Sequence, residues 1–464
     1  MESHEELERG LKNRHVQLIS IGGAIGTGLF LGSGKTIQLT GPSILLSYAI
    51  TGGIIFLIMR ALGELMLSNL NYHSFLDFIA DYLGKKAAFV TGWTYWFCWI
   101  AIAMADLTAT GMYVRYWLPN IPQWLPEIIA LAILLGLNLV AVGLFGEMEF
   151  WFALVKVIAI IALIIVGAVM IVMHFQTSAG PVQISNLWSH GGFFPKGAHG
   201  FALSFQMATF AFCGVELVGL IGGETSDPKT VLPKAIDNIP IRIILFYLGS
   251  LFVIMSIYPW TSLSADRSPF VQVFSEIGIV AAASIVNLVV LSSAMSACNS
   301  AIYSTSRMAR SLAQEGSAPK SFAKLTRHRV PGNALVFSTL VIFIAVLLNF
   351  FVPSQIFTLI SSIATICFIF IWGMITWTHM RYRKTNPELV AKSSFKLHLY
   401  PYANYLIFAF LAFVLFVLAL APDTREALIF SPLWFILLLV IYQFKFKNKK
   451  PESNEVLTNS DIKH

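Results

Sequence analysis

The chain has 464 residues, 56% of them hydrophobic and only 12% charged, with a formal net charge of +7. A soluble domain carries about 25% charged residues, so this composition excludes one and implies a polytopic membrane protein. The positive surplus needs no nucleic-acid partner: with both termini cytoplasmic, 25 of the 31 Lys and Arg fall in cytoplasmic segments and five (Lys35, Arg115, Lys196, Arg267, Arg425) in external ones, as the positive-inside rule requires.

Hydropathy predicts twelve spans, at 16–38, 42–66, 88–117, 124–143, 148–174, 200–222, 240–261, 272–303, 334–352, 355–380, 401–421 and 428–446. The polar start MESHEELERGLKNRH precedes a first run too long for the core of a cleavable signal, so span one reads as a signal anchor.

Within span one, ISIGGAIGTGLF places Gly22, Gly23, Gly26 and Gly28 close together, and glycine is a poor helix former. Two readings fit. The glycines mark an interruption whose freed amides and dipole end face an anionic group, as in secondary transporters. Alternatively, Gly22-x-x-x-Gly26 and Gly28-x-x-x-Gly32 are small-residue seams between packed helices. The loop GSGKTIQLTGPS leads externally into span two, which ends at Arg60 and Glu64, an i, i+4 spacing that predicts a helix-end ion pair. Residues 67–87 are amphipathic and short, and are expected along the inner interface.

Span three holds Asp106 in mid-membrane, where a carboxylate is costly and must face the bundle interior. A functional role is favoured there over a purely structural hydrogen bond. Span five carries Lys156, two turns past Glu149 and flanked by apolar residues. Such a lysine either snorkels to the interface or serves as a buried exchangeable charge, and the second reading is favoured. Span six, FAFCGVELVGLIGGE, is the second irregular stretch, with Gly214 after Phe210 and Cys213 and with Glu216 in mid-span. Two interrupted spans, each opening a set of five, are the expected trace of inverted repeats meeting at the midplane, which favours the site reading for span one as well. Span eight is lined by Ser292, Ser293, Ser296, Asn299 and Ser300, which either pack helices or line a polar path. The loop from Arg307 to Pro331 reads as cytoplasmic, and the tail after 446 as disordered.

Cys98, Cys213, Cys298 and Cys367 all lie within spans, and no Cys-x-x-Cys pair or His cluster suggests a metal, haem or other cofactor. Nor does any nucleophile and base constellation suggest a membrane-embedded enzyme.

These residues carry a resemblance. From NRHVQLISIGGAIGTGLFLGSG through FGEMEFWFALVKVIAI and FAFCGVELVGLIGGETSDPKTVLPKAI to NSAIYSTSRMARSLAQEGSAPK, the chain resembles the amino acid transporter family of the amino acid, polyamine and organocation superfamily. Within it, TGWTYWFCWIAIAMADLTA and GGFFPKGAHGF are most similar to members carrying D-alanine, D-serine and glycine. The resemblance implies an all-α protein of twelve transmembrane helices with a LeuT-like 5+5 inverted repeat and two extra helices. Its parts would be a tail at 1–15, repeats at 16–174 and 200–380, two helices at 401–446 and a tail at 447–464. It implies a proton symporter of small neutral amino acids in the plasma membrane, with a carboxylate site at Gly26, Thr27 and Gly28. The ammonium would meet carbonyls at Ala24, Phe210 and Cys213, under a Phe210 lid. Lys156 matches a lysine standing at the sodium position of other members, Asp106 and Glu216 fall on acidic positions, and Ser293 and Ser296 are partners from span eight. A permease of the same family for another amino acid (proline, aromatic or GABA), an exchanger, a channel or a sensor stays open.

Overall fold

The computed structural model describes residues 25–72, 74–140, 145–177, 179–217, 227–265, 267–276, 280–351 and 355–446. Gly22, Gly23, Ala24 and both predicted tails lie outside them.

The chain enters through a bend at Ile25 and Gly26, then turns helical as α1 (Thr27–Phe30) and, after Leu31, α2 (Gly32–Thr40). Residues 32–43, read from sequence as an external loop, are thus mostly helix. The physical reason is that Ser33 and Thr36 donate to the carbonyls of Leu29 and Gly32 at 2.5 and 2.8 Å, and this back-bonding hides hydroxyls inside a helix. Gly41, at φ 65°, turns the chain into α3 (Ile44–Ser68).

The amphipathic stretch at 67–87 contains α4 (Phe75–Leu83), opened by a capping box between Ser74 and Asp77 and ended by Gly84 at φ 92°. Phe75, Phe78 and Ile79 are buried, and the Phe75 ring meets Tyr95 of α5 (Lys85–Val114) edge-on at 5.1 Å. Next come α6 (Trp124–Val140) and α7 (Phe145–Val172), followed by an antiparallel pairing of β1 (Gln176–Thr177) with β2 (Gly180–Pro181).

Span six begins as α8 (Gly197–Phe210). The seventh starts earlier than hydropathy predicts, as α9 (Pro228–Asp237) and α10 (Ile239–Arg242), then a π-helical stretch at Ile243–Gly249 and α11 (Ser250–Ile257). In the region of the eighth, the described helices are α12 (Pro269–Glu276) and α13 (Val280–Gln314), which continues well past the predicted end at 303. The rest of the bundle is α14 (Gly332–Phe351), α15 (Ile356–Thr385), α16 (Pro387–Lys392), α17 (Tyr402–Leu420) and α18 (Pro422–Phe446).

Among the described residues nine helices are long and apolar enough to cross a membrane. They are not equivalent: 83% of the apolar stretch of α5 is buried, against 28% for α7 and 11% for α18. Helix α5 is therefore the axis of the bundle, while α7 and α18 present most of their apolar surface outward, where lipid would cover it.

Arg60 and Glu64 do not pair with each other. Glu64, fully buried, accepts from Arg383 Nε and Nη2 at 2.9 and 2.6 Å, from the Leu397 amide at 2.7 Å, and lies 3.0 Å from His379 Nε2. Arg60 donates to Asp237 at 2.7 Å and to the Lys396 carbonyl at 2.6 Å, with its guanidinium 3.7 Å above the Phe395 ring. Gly63 makes room for this strap, because a Cβ there would come within 2.7 Å of Phe395. Tertiary partners more than 150 positions away thus override the local helix-end pair.

Candidate functional site

The two irregular stretches differ in how they break. At the first, Gly26 is extended (φ −128°, ψ −164°) and its carbonyl accepts from Leu29 and Phe30, both at 3.1 Å, so a helix begins at Thr27. The first amides of a helix have no intrahelical acceptor, which leaves Gly26, Thr27 and Gly28 with donors at a positive dipole end. A Cβ built on Gly26 would meet nothing within 4 Å: the chain borders open space at the point where α1 begins.

At the second, α8 stops at Phe210 and the chain continues in three-residue turns, with Phe212, Cys213 and Val215 donating to Thr209, Phe210 and Phe212. Gly214 takes φ 92°, a conformation other residues rarely adopt, and its α-carbon faces the edge of Trp99. The loosened carbonyl of Ala211 is satisfied by the Tyr247 hydroxyl at 3.0 Å. The Phe210 carbonyl is already engaged by the Cys213 amide at 3.0 Å, and the Phe210 ring stands edge-on to Phe357 at 6.1 Å.

The breaks touch. A Cβ on Gly28 would lie 2.6 Å from Ala211 Cα, and one on Gly32 would lie 2.5 Å from Met207 Sδ. The seam reading applies to Gly28 and Gly32, which pack on Ala211 and Met207, whereas Gly26 meets no such neighbour.

Around the first break the structure gathers several predicted residues. Thr27 Oγ1 donates to Asp106 Oδ1 at 2.7 Å in a buried contact, and Asp106 Oδ2 has no hydrogen-bond partner among the described residues. Ser293 of α13 reaches the Ile25 carbonyl at 3.5 Å. Its neighbour one turn on, Ser296, contacts both carboxylate oxygens of Glu149, at 2.9 and 2.8 Å. Lys156 is 1% exposed, so it does not snorkel, and the charges that reach it are those of Glu149 and Asp106. Glu216 is brought elsewhere: it is fully buried and receives the Trp372 indole N–H of α15 at 3.4 Å. Ala24 lies outside the described residues.

Glu149 is the participant that sequence reasoning passed over. Its signal was present, since seven residues separate it from Lys156 and two helical turns return to the same face. What the spacing could not supply was the partner on α13.

Buried charges and hydroxyls gathered at helix interruptions, inside helices long and apolar enough to span a bilayer, define a multi-pass membrane protein with a polar interior site. Residues 15–455 match the family described as Amino acid permease, and the chain belongs to that family. It is 66% identical over 443 residues to a Bacillus subtilis protein named uncharacterized transporter YdgF, covering 96% of this chain and 97% of that one. It is 50% identical over 453 residues to the D-serine/D-alanine/glycine transporter of Escherichia coli K12, covering 97% and 96%. An aromatic amino acid transport protein, AroP of Shigella flexneri, is 43% identical over 96% of this chain and 97% of its own length.

Proposed function

We propose that this permease is a proton symporter importing small zwitterionic amino acids, D-alanine, D-serine and glycine, across the plasma membrane, with both termini cytoplasmic. The observation that carries the reading is the contact of the two interruptions at Gly28 and Ala211 beside the open space at Gly26. A zwitterion needs donors at one end and acceptors at the other. The first-turn amides of Gly26, Thr27 and Gly28 supply donors for the carboxylate. Carbonyls at Ala24, Phe210 and Cys213 supply acceptors for the ammonium, and the Phe210 ring closes over the bound molecule. Lys156, Asp106, Glu149, Ser293 and Ser296 surround the first break and carry the coupling, with Glu216 acting at the second. Twelve spans in a LeuT-like 5+5 inverted repeat plus two helices accommodate the nine long helices, the two broken spans and the shorter α6. The choice of substrate rests on the 50% relative over nearly the whole chain.

Purified protein in proteoliposomes should accumulate labelled D-alanine when an inward proton gradient is imposed, and a protonophore should abolish it. Uptake indifferent to protonophore overturns the symport reading. Competition by an aromatic amino acid, but not by glycine or D-serine, moves the substrate to the class named for the 43% relative.

A further inference from the structure

We propose that Thr27 and Asp106 form a donor-reversing relay, through which the proton on Asp106 decides whether the Thr27 hydroxyl is offered to the substrate carboxylate. The proposal rests on the symport reading and specifies how proton and substrate are linked at one atom.

A hydroxyl has a single proton to donate and can also accept. In the structure that proton is committed: Thr27 Oγ1 donates to Asp106 Oδ1 at 2.7 Å. The same residue begins α1, one position after Gly26, where an added Cβ would meet nothing within 4 Å. With Asp106 ionised, the carboxylate can only accept, and Thr27 presents to an incoming carboxylate an oxygen without a proton, which repels it. Once Asp106 takes up a proton on Oδ1, it becomes the donor to Thr27 Oγ1. The threonine O–H then rotates away and donates to the substrate carboxylate. The hydrogen-bond count balances: one proton is added at Asp106, one donor direction reverses, and one new bond forms to substrate. Release of substrate frees the hydroxyl to return to Asp106 as the proton leaves.

Two features of the site fit this role. Asp106 is 1% exposed, with the hydroxyl and the backbone amide of Thr27 on its carboxylate and an Oδ2 that has no hydrogen-bond partner among the described residues, so Thr27 is the residue its protonation state addresses directly. The titratable groups that face it are few: Lys156 from α7, Cys298 from α13, and Tyr113 two turns along α5 itself. Lys156, opposed also by Glu149, supplies the countercharge that lets Asp106 ionise between cycles.

The test is the pH dependence of glycine and D-alanine binding to the full-length protein in detergent, beside proton-driven uptake. Wild type should bind about tenfold more weakly for each pH unit above the relay's transition. Thr27→Ser keeps the hydroxyl and should keep that slope. Thr27→Val, of equal shape, should bind at least about tenfold more weakly at low pH and show no slope, because the lost bond is one to a charged group. Asp106→Asn cannot titrate and should bind with an affinity flat in pH. A Thr27→Val protein that binds with the wild-type slope overturns the relay; should that variant fail to fold, a wild-type slope in Asp106→Asn overturns it equally. A wild type whose uptake ignores the proton gradient refutes instead the reading on which the relay rests.

Discussion

Gly28 of α1 rests directly on Ala211, at the point where the second broken helix loses its regular ladder: there is no room between them for even one methyl group, since its carbon would sit 2.6 Å from Ala211 Cα. The obstruction is backbone, which cannot rotate aside as a side chain can. Gly28→Ala should therefore push the two helices apart, destabilise the protein by about 1–3 kcal/mol and abolish uptake. Gly26→Ala is the informative contrast. Its backbone is extended and its Cβ would meet open space, so it should fold with unchanged thermal stability in detergent while reducing uptake by filling the hollow. Equal stability losses in the two variants would place Gly26 in the packed seam as well.

The end of the bundle around Glu64 provides a stability prediction. Glu64 is buried among Arg383, His379 and the Leu397 amide, so removing its charge strands an arginine. Glu64→Ala should cost about 3–5 kcal/mol. Asp237→Asn, which loosens only the half-exposed pair with Arg60, should cost less than about 1 kcal/mol. Thermal unfolding of both variants in the same detergent measures the difference, and a loss in Asp237→Asn as large as in Glu64→Ala would contradict it.

How much of this was legible beforehand depends on the range of the interaction. Long apolar runs are local, and hydropathy places α3, α5, α7 and α15 without help. The breaks were legible as glycine clusters, but the partition of labour was not: whether Gly26 or Gly28 meets another helix depends on α8, nearly two hundred positions on. The hydroxyl-rich α2 read as loop because polarity was taken for exposure, whereas Ser33 and Thr36 spend their hydroxyls on their own helix. Arg60 and Glu64 satisfied a local rule and found partners at 237 and 379–397 instead. Asp106 and Lys156 were recognisable because charge inside apolar sequence is conspicuous. Their partners Thr27 and Glu149 were less so, since neither a threonine in a glycine run nor a glutamate at a helix start is unusual.

Lys156 and Glu149 give the last prediction, in which stability and transport part company. Both are buried on one face of α7, and Glu149 accepts from Ser296 of α13 while Lys156 has no hydrogen bond or ion pair among the described residues. Each is an opposite charge that reaches the other without a direct ion pair, and Asp106 also reaches Lys156, so Lys156→Met and Glu149→Gln should each destabilise by about 1 kcal/mol or more. The double variant removes both charges and should recover most of that loss, a non-additivity of at least about 1 kcal/mol in a double-mutant cycle. Accumulation of labelled glycine should not recover with it, because proton coupling needs the charge itself and not the volume it occupies. Thermal unfolding and proteoliposome uptake, measured on the same four proteins, check both halves. Additive stability losses would mean that the two charges do not sense each other, and restored accumulation in the double variant would leave Lys156 a structural role only.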